Sequence, residues 1–157
     1  MKLLLVPLAV VLLVPALVAA PVTAISTAPH PAPAAPLFSW VPPGGFPDRF
    51  PYGQCTWWAA YNRRVTWSGN ADDWLANAAV QGLRTEAMPS TGAIAVYRPG
   101  APYDPDYGHV AVVIGTGPGS YTVSEMNFIG WGRVSTRTAL WPDPNIEGFI
   151  PVQEGER

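Results

Sequence analysis

Two hydrophobic rhythms follow one another along the 157-residue chain. Behind an opening apolar run and a proline-rich stretch, the first rhythm is helical. Cys55 to Arg64 follows a turn marked by Pro51 and Gly53 and reads as a helix, with Arg63 and Arg64 at the end where cations complement the macrodipole. Ala71, Trp74, Leu75, Ala78 and Ala79 then fall at i, i+3, i+4, i+7 and i+8, an amphipathic stripe that Gly82 ends. Trp67 to Asn70 is a loop between the two, Asn70 or Asp72 is a candidate cap, and Trp74 belongs to the core. Beyond Pro89 the period shortens to two. Gly92–Arg98, Gly108–Ile114, Ser120–Asn127, Trp131–Leu140 and Glu147–Val152 read as strands, and the turn Gly115–Gly119 joins the second and third into a hairpin. Helices first and short strands after predict an α+β fold, with N-terminal helices packed on a mostly antiparallel sheet.

The N-terminal quarter has neither rhythm. Lys2 precedes the uncharged run Leu3–Ala20, and small residues at Val18-Ala19-Ala20 and Val22-Thr23-Ala24 fit signal-peptidase sites. Residues 1–24 are therefore expected to be a signal peptide. The alternative is a retained anchor, since about 20 apolar residues just span a bilayer, although Pro7 and Pro15 interrupt this one. Both readings place the rest of the chain outside the cytoplasm, secreted or associated with the cell wall, with membrane contact only through the N-terminal segment. Residues 25–46 are rich in Pro and Ala and predict an extended, semi-rigid spacer. The folded domain is expected over 47–152 and a C-terminal tail over 153–157.

Composition narrows the function more than the fold. The formal net charge is −2 and the 9 Lys and Arg residues form no stripe, which argues against a nucleic-acid surface. The chain has seven tryptophans, six of them in the expected domain, and large aromatics each bury much area, which helps a small domain without disulfides. His30 lies in the spacer, so His109 is the one histidine of the folded part.

The single cysteine, Cys55, has no internal disulfide partner in a chain that looks exported, and so requires another reason to be present. It falls at the first turn of the predicted helix, where unpaired N–H groups and the dipole stabilise a thiolate. Alternation along the strands puts His109, Ala111 and Val113 on one face, and Val110, Val112 and Ile114 on the other. In the next strand Tyr121, Val123, Glu125 and Asn127 fall together, so the hairpin brings His109 near Glu125 or Asn127. If the Cys55 helix packs on the His109–Ala111 face, thiol, imidazole and a carboxylate or amide converge, as thiol-based amide hydrolysis requires. N–H groups at the helix start, with Gln54 as an added side-chain donor, suit an oxyanion. Trp57, Trp58 and Trp131 are candidates to line a substrate cleft. Asp104 and Asp106 read as a solvated loop rimming the site.

At these residues the chain resembles the CHAP family, the cysteine- and histidine-dependent amidohydrolase/peptidase domains of bacterial cell-wall enzymes and phage lysins. The resemblance rests on Tyr52-Gly53-Gln54-Cys55-Thr56-Trp57, Tyr61–Arg64, Gly69-Asn70-Ala71, Pro89–Ile94, Gly108-His109-Val110-Ala111 and Ser124-Glu125-Met126-Asn127, in family order. It implies a papain-like fold and cleavage of an amide bond in peptidoglycan, by an amidase or an endopeptidase. Cys55 maps to the nucleophile, His109 to the base, and Glu125 or Asn127 to the group that orients it. Some relatives carry an acidic calcium loop before the cysteine; here only Asp48 stands there, so neither metal nor other cofactor is expected. The competing reading is a non-catalytic wall-binding module on the same scaffold, with Cys55 reserved for an intermolecular disulfide.

Overall fold

A computed structural model describes residues 49–156. The expected signal segment, the spacer with His30, and Asp48 lie outside the described residues. Two short helices, α1 (Cys55–Asn62) and α2 (Trp74–Val80), precede five strands: β1 (Ile94–Tyr97), β2 (His109–Gly117), β3 (Ser120–Met126), β4 (Val134–Leu140) and β5 (Ile146–Ile150). The strands form one sheet in the order β4-β3-β2-β1-β5, and every pairing is antiparallel. The α+β expectation is thus met, each predicted strand being present with its ends trimmed or extended by a few residues.

The two faces of the sheet bury different layers. On one, Ile94, Val96, Val110, Val112 and Ile150 meet the helices through Ala59, Ala60, Trp74 and Ala78. On the other, Ala95, Tyr97, Ala111, Val113, Tyr121, Val123 and Phe149 form a second, more aromatic core. This corrects the expectation for α1, which packs against the Val110–Val112 face and not against His109 and Ala111. α1 presents the small residues Ala59 and Ala60 to Val110 and Val112, which allows close approach.

The helices also differ from expectation in detail. Ala71–Asp73 forms a 3₁₀ turn that leads into α2, and Asn70 is its cap, with its N–H donating to Asp73 at 3.2 Å. Ala79 leaves the buried stripe that Ala71, Trp74 and Ala78 define. Arg63 is no exposed complement to the α1 dipole. It caps α1 in extended conformation and is buried, donating to the carbonyls of Gly92, Ile150 and Pro151 and pairing with Glu156 at 2.7 Å. The tail is held from a second side as well, where Gln153 accepts from the Arg84 N–H at 2.9 Å.

Candidate active site

Gln54 is the residue before α1, in extended conformation (φ −94°, ψ 157°), and its side chain makes no cap bond to the helix. Cys55 therefore opens the helix, at a point where the first N–H groups lack intrahelical partners. His109 opens β2, immediately behind Gly108. At Gly108, φ is +66°, and a Cβ there would collide with the Tyr97 carbonyl, so only glycine lets the chain turn into the strand at this point. The paired register of β2 and β3 ends at Val112↔Ser124. Past that rung, on the side away from its β1 partner Val96, the Val110 N–H is a donor to the Cys55 sulfur. The thiol thus reaches around the end of the ladder to the imidazole, although helix and imidazole belong to opposite faces.

His109 Nε2 lies 3.1 Å from Glu125 Oε2, which leaves Nδ1 as the nitrogen for the thiol. Glu125 is fully buried and His109 is 5% exposed, so neither charge is screened by bulk water. The Tyr103 ring stacks on the imidazole, with centroids 5.4 Å apart and planes 13° from parallel. Burial alone would push the Cys55 thiol up. The His109 hydrogen bond and charge, joined by N–H groups of Val110 and Thr56, outweigh burial and hold the thiol below its ordinary range. His109 answers in kind: despite burial, Cys55 and Glu125 push it up to about 9. Glu125, disfavoured as an anion by burial, is nonetheless held below its ordinary range by His109 and Arg137. All three groups are thus shifted toward their charged forms in spite of burial.

Asn127 goes elsewhere. It stands just past β3 with φ +66°, so the alternation that carries Glu125 toward His109 no longer applies to it. Its Nδ2 donates to Gln54 Oε1 at 2.9 Å, which leaves the Gln54 amide N–H₂ as the end free of that bond. Cys55, His109, Gln54 and Asn127 line one cleft of about 720 Å³, whose other walls include Phe50, Asn70, Tyr103 and Phe128. Asp104 and Tyr107 rim it, and the Asp104 carboxylate accepts from the N–H groups of Asp106 and Tyr107 at 2.9 Å each, stapling its own loop. Trp57, Trp58 and Trp131 are not among the cleft walls. Trp57 stacks on Tyr61, and Trp58 donates to Ser124 at 3.1 Å. Trp131 lies against Gly53, where a Cβ would stand 2.5 Å from the indole.

Two residues at the site went unmarked in the sequence. Arg137 on β4 pairs with Glu125, and Tyr103 covers His109. The signal for Arg137 was inverted: along Val134–Leu140 the apolar ends Val134 and Leu140 face solvent while the arginine turns inward. A period-two reading assigns the opposite polarity to that strand.

The profile of the CHAP domain family matches residues 45–127, more than half of the chain. The chain belongs to the CHAP domain family. Within it, the chain is 39% identical over 102 residues to the probable autolysin LDP of Staphylococcus aureus, covering 59% of this chain and 34% of that protein. It is 41% identical over 87 residues to the N-acetylmuramoyl-L-alanine amidase sle1 of Staphylococcus haemolyticus, covering 50% of this chain and 25% of that one. The crystal structure of an N-acetylmuramoyl-L-alanine amidase from Staphylococcus aureus superposes with a TM-score of 0.54 at 32% identity, over 58% of this chain and 28% of that chain. The chain spans about a third or less of the length of these relatives. The CHAP match contains Cys55, His109, Glu125 and Asn127 and stops before Arg137.

Proposed function

We propose that this CHAP domain is a peptidoglycan hydrolase that cleaves an amide bond by thiol chemistry, with Cys55 as nucleophile, His109 as acid and base, and Glu125 as the group that orients and charges His109. The observation that carries the reading is the buried line from the Cys55 sulfur through His109 to Glu125, with Cys55 and His109 opening on one cleft of about 720 Å³. The names of the relatives, autolysin and N-acetylmuramoyl-L-alanine amidase, supply the substrate class.

In the first half-reaction the Cys55 thiolate attacks the carbonyl carbon and the oxygen takes up the negative charge. The Cys55 N–H at the helix start and the Gln54 amide are the donors available to that oxyanion, and Asn127 holds the Gln54 amide in place. His109 gives its proton to the leaving nitrogen, the C–N bond breaks, and a thioester remains on Cys55. Water then attacks the thioester while neutral His109 takes its proton. The C–S bond breaks and the thiolate–imidazolium pair is restored. Glu125 favours the imidazolium in both halves without itself accepting the proton. An exported, wall-associated location fits this substrate and the secretory-antigen relatives from Staphylococcus epidermidis.

Clearing of purified bacterial cell walls tests the assignment. Wild type is expected to reduce turbidity, and Cys55→Ala and His109→Ala to lose about three orders of magnitude or more in rate, as removal of members of such a catalytic group does elsewhere. A Cys55→Ala protein that clears walls at the wild-type rate overturns the reading.

A further inference from the structure

A fully buried carboxylate stays ionised only if other groups supply donors and compensating charge. His109 provides Glu125 with one bond, to Oε2. Arg137 provides the others: its Nε donates to Oε1 at 3.0 Å and its Nη2 to Oε2 at 3.2 Å, a two-pronged contact. The same Nη2 donates to the Tyr103 hydroxyl at 3.0 Å. The faces of the guanidinium are occupied too, with its carbon 4.7 Å from the Phe128 ring centre and 5.3 Å from that of Tyr97. Arg137 is thus fixed in its plane by hydrogen bonds and across its plane by rings. It is not a wall of the cleft, and it lies on β4 beyond the segment that the family profile matches.

We propose that Arg137 is a positioning residue: it clamps Glu125 against His109 and thereby sets the pH range over which the Cys55–His109 ion pair exists. The inference rests on the thiol–imidazole reading above. The groups facing this pair are Cys55 from α1, Tyr97 from β1, Tyr121 from β3, Tyr103 from the loop before β2, and Asp143 beyond β4, which accepts from Tyr121 at 3.0 Å. The three tyrosines are pushed up, by burial above all, and stay neutral. Apart from His109 itself, Arg137 is the cation in this set. Without it, Glu125 and His109 relieve their isolation by sharing one proton as a neutral pair. The imidazolium is then lost as a partner for the thiolate. Lysine in its place keeps a charge but not the fork that fixes both carboxylate oxygens.

The test is the rate of Cys55 alkylation by iodoacetamide between pH 4 and 10, in the full chain, for wild type, Arg137→Met, Arg137→Lys, Glu125→Gln and the double variant Glu125→Gln/Arg137→Met, with thermal unfolding followed in parallel. Arg137→Met is expected to move the acid-side midpoint of alkylation up by about one pH unit, slowing the reaction about tenfold on that limb. Arg137→Lys is expected to move it by less. In the Glu125→Gln background, Arg137→Met is expected to add no further upward shift. The proposal is overturned if Arg137→Met keeps the wild-type midpoint while Glu125→Gln shifts it, or if Arg137→Met shifts it equally in both backgrounds. Should Arg137→Met fail to fold, Arg137→Lys decides: a raised midpoint supports the clamp and an unmoved one overturns it. Failure of the underlying reading looks different, because wild type itself would then alkylate as an ordinary thiol, near pH 8.5, and Glu125→Gln would not alter it.

Discussion

At the scale of single residues, the site works by opposing burial with pairing. Burial disfavours the charged form of Cys55, His109 and Glu125 alike, and each is nevertheless shifted toward its charged form: Cys55 by His109, His109 by Cys55 and Glu125, and Glu125 by His109 and Arg137. The pH dependence follows. His109, raised to about 9, contributes stabilisation that is complete below the ordinary histidine range and is lost as pH rises through 9. Cys55, lowered, contributes stabilisation present above the ordinary thiol range and lost as pH falls through its folded value. Hydrolysis is therefore expected to decline on the alkaline side near pH 9, as the imidazolium deprotonates. A pH series of initial clearing rates checks this; an alkaline limb near pH 6.5 would mean an unperturbed histidine. The choice between Glu125 and Asn127 also belongs to this scale. Both share a parity in the sequence, but Asn127 leaves the strand at positive φ and turns to Gln54. Period-two reasoning does not extend past the end of a strand, so the sequence left the two open.

At the scale of elements, the site is made where three chain ends coincide: the start of α1, the start of β2 and the end of β3. The alternation of β2 and β3 placed His109 and Glu125 on one face, as the residue pattern implies. The packing of α1 was not legible in the same way, because the choice between two apolar faces depends on which one the rest of the core fills. Trp58 bonds to Ser124, the 3₁₀ turn and α2 share the Val110–Val112 face, and the aromatic face closes on itself. The thiol still meets the imidazole because the last rung of β2–β3 is missing beside it. Gly108 controls that corner. Gly108→Ala adds a Cβ both at φ +66° and against the Tyr97 carbonyl. The expected outcome is a loss of stability of about 1–3 kcal/mol by denaturant unfolding, the range for local backbone strain, with a larger fractional loss of hydrolysis, because His109 follows directly.

At the scale of the molecule, the described residues form one sheet with a helical layer on one face, and the ends of the domain are tied to it. Arg63, read in the sequence as a helix-end charge, instead gathers the carbonyls of Gly92, Ile150 and Pro151 and the Glu156 carboxylate. These partners are remote in sequence, which is why local pattern gave no hint of them. Arg137 escaped for the same reason, its partner Glu125 lying on the neighbouring strand. Element types, and the placing of His109 beside Glu125 or Asn127, were legible because they rest on local period and hairpin pairing; the choice between those two, the seat of Cys55 and the clamps that hold the site rest on longer-range contacts. The central claim is that this domain opens an amide bond of peptidoglycan through Cys55. Mass spectrometry of muropeptides from purified walls treated with wild type and with Cys55→Ala tests it most directly. The account predicts fragments carrying a new amine and a new carboxylate, with an intact glycan backbone, absent with Cys55→Ala. Fragments with new reducing sugar ends, or amide cleavage that persists with Cys55→Ala, would contradict it.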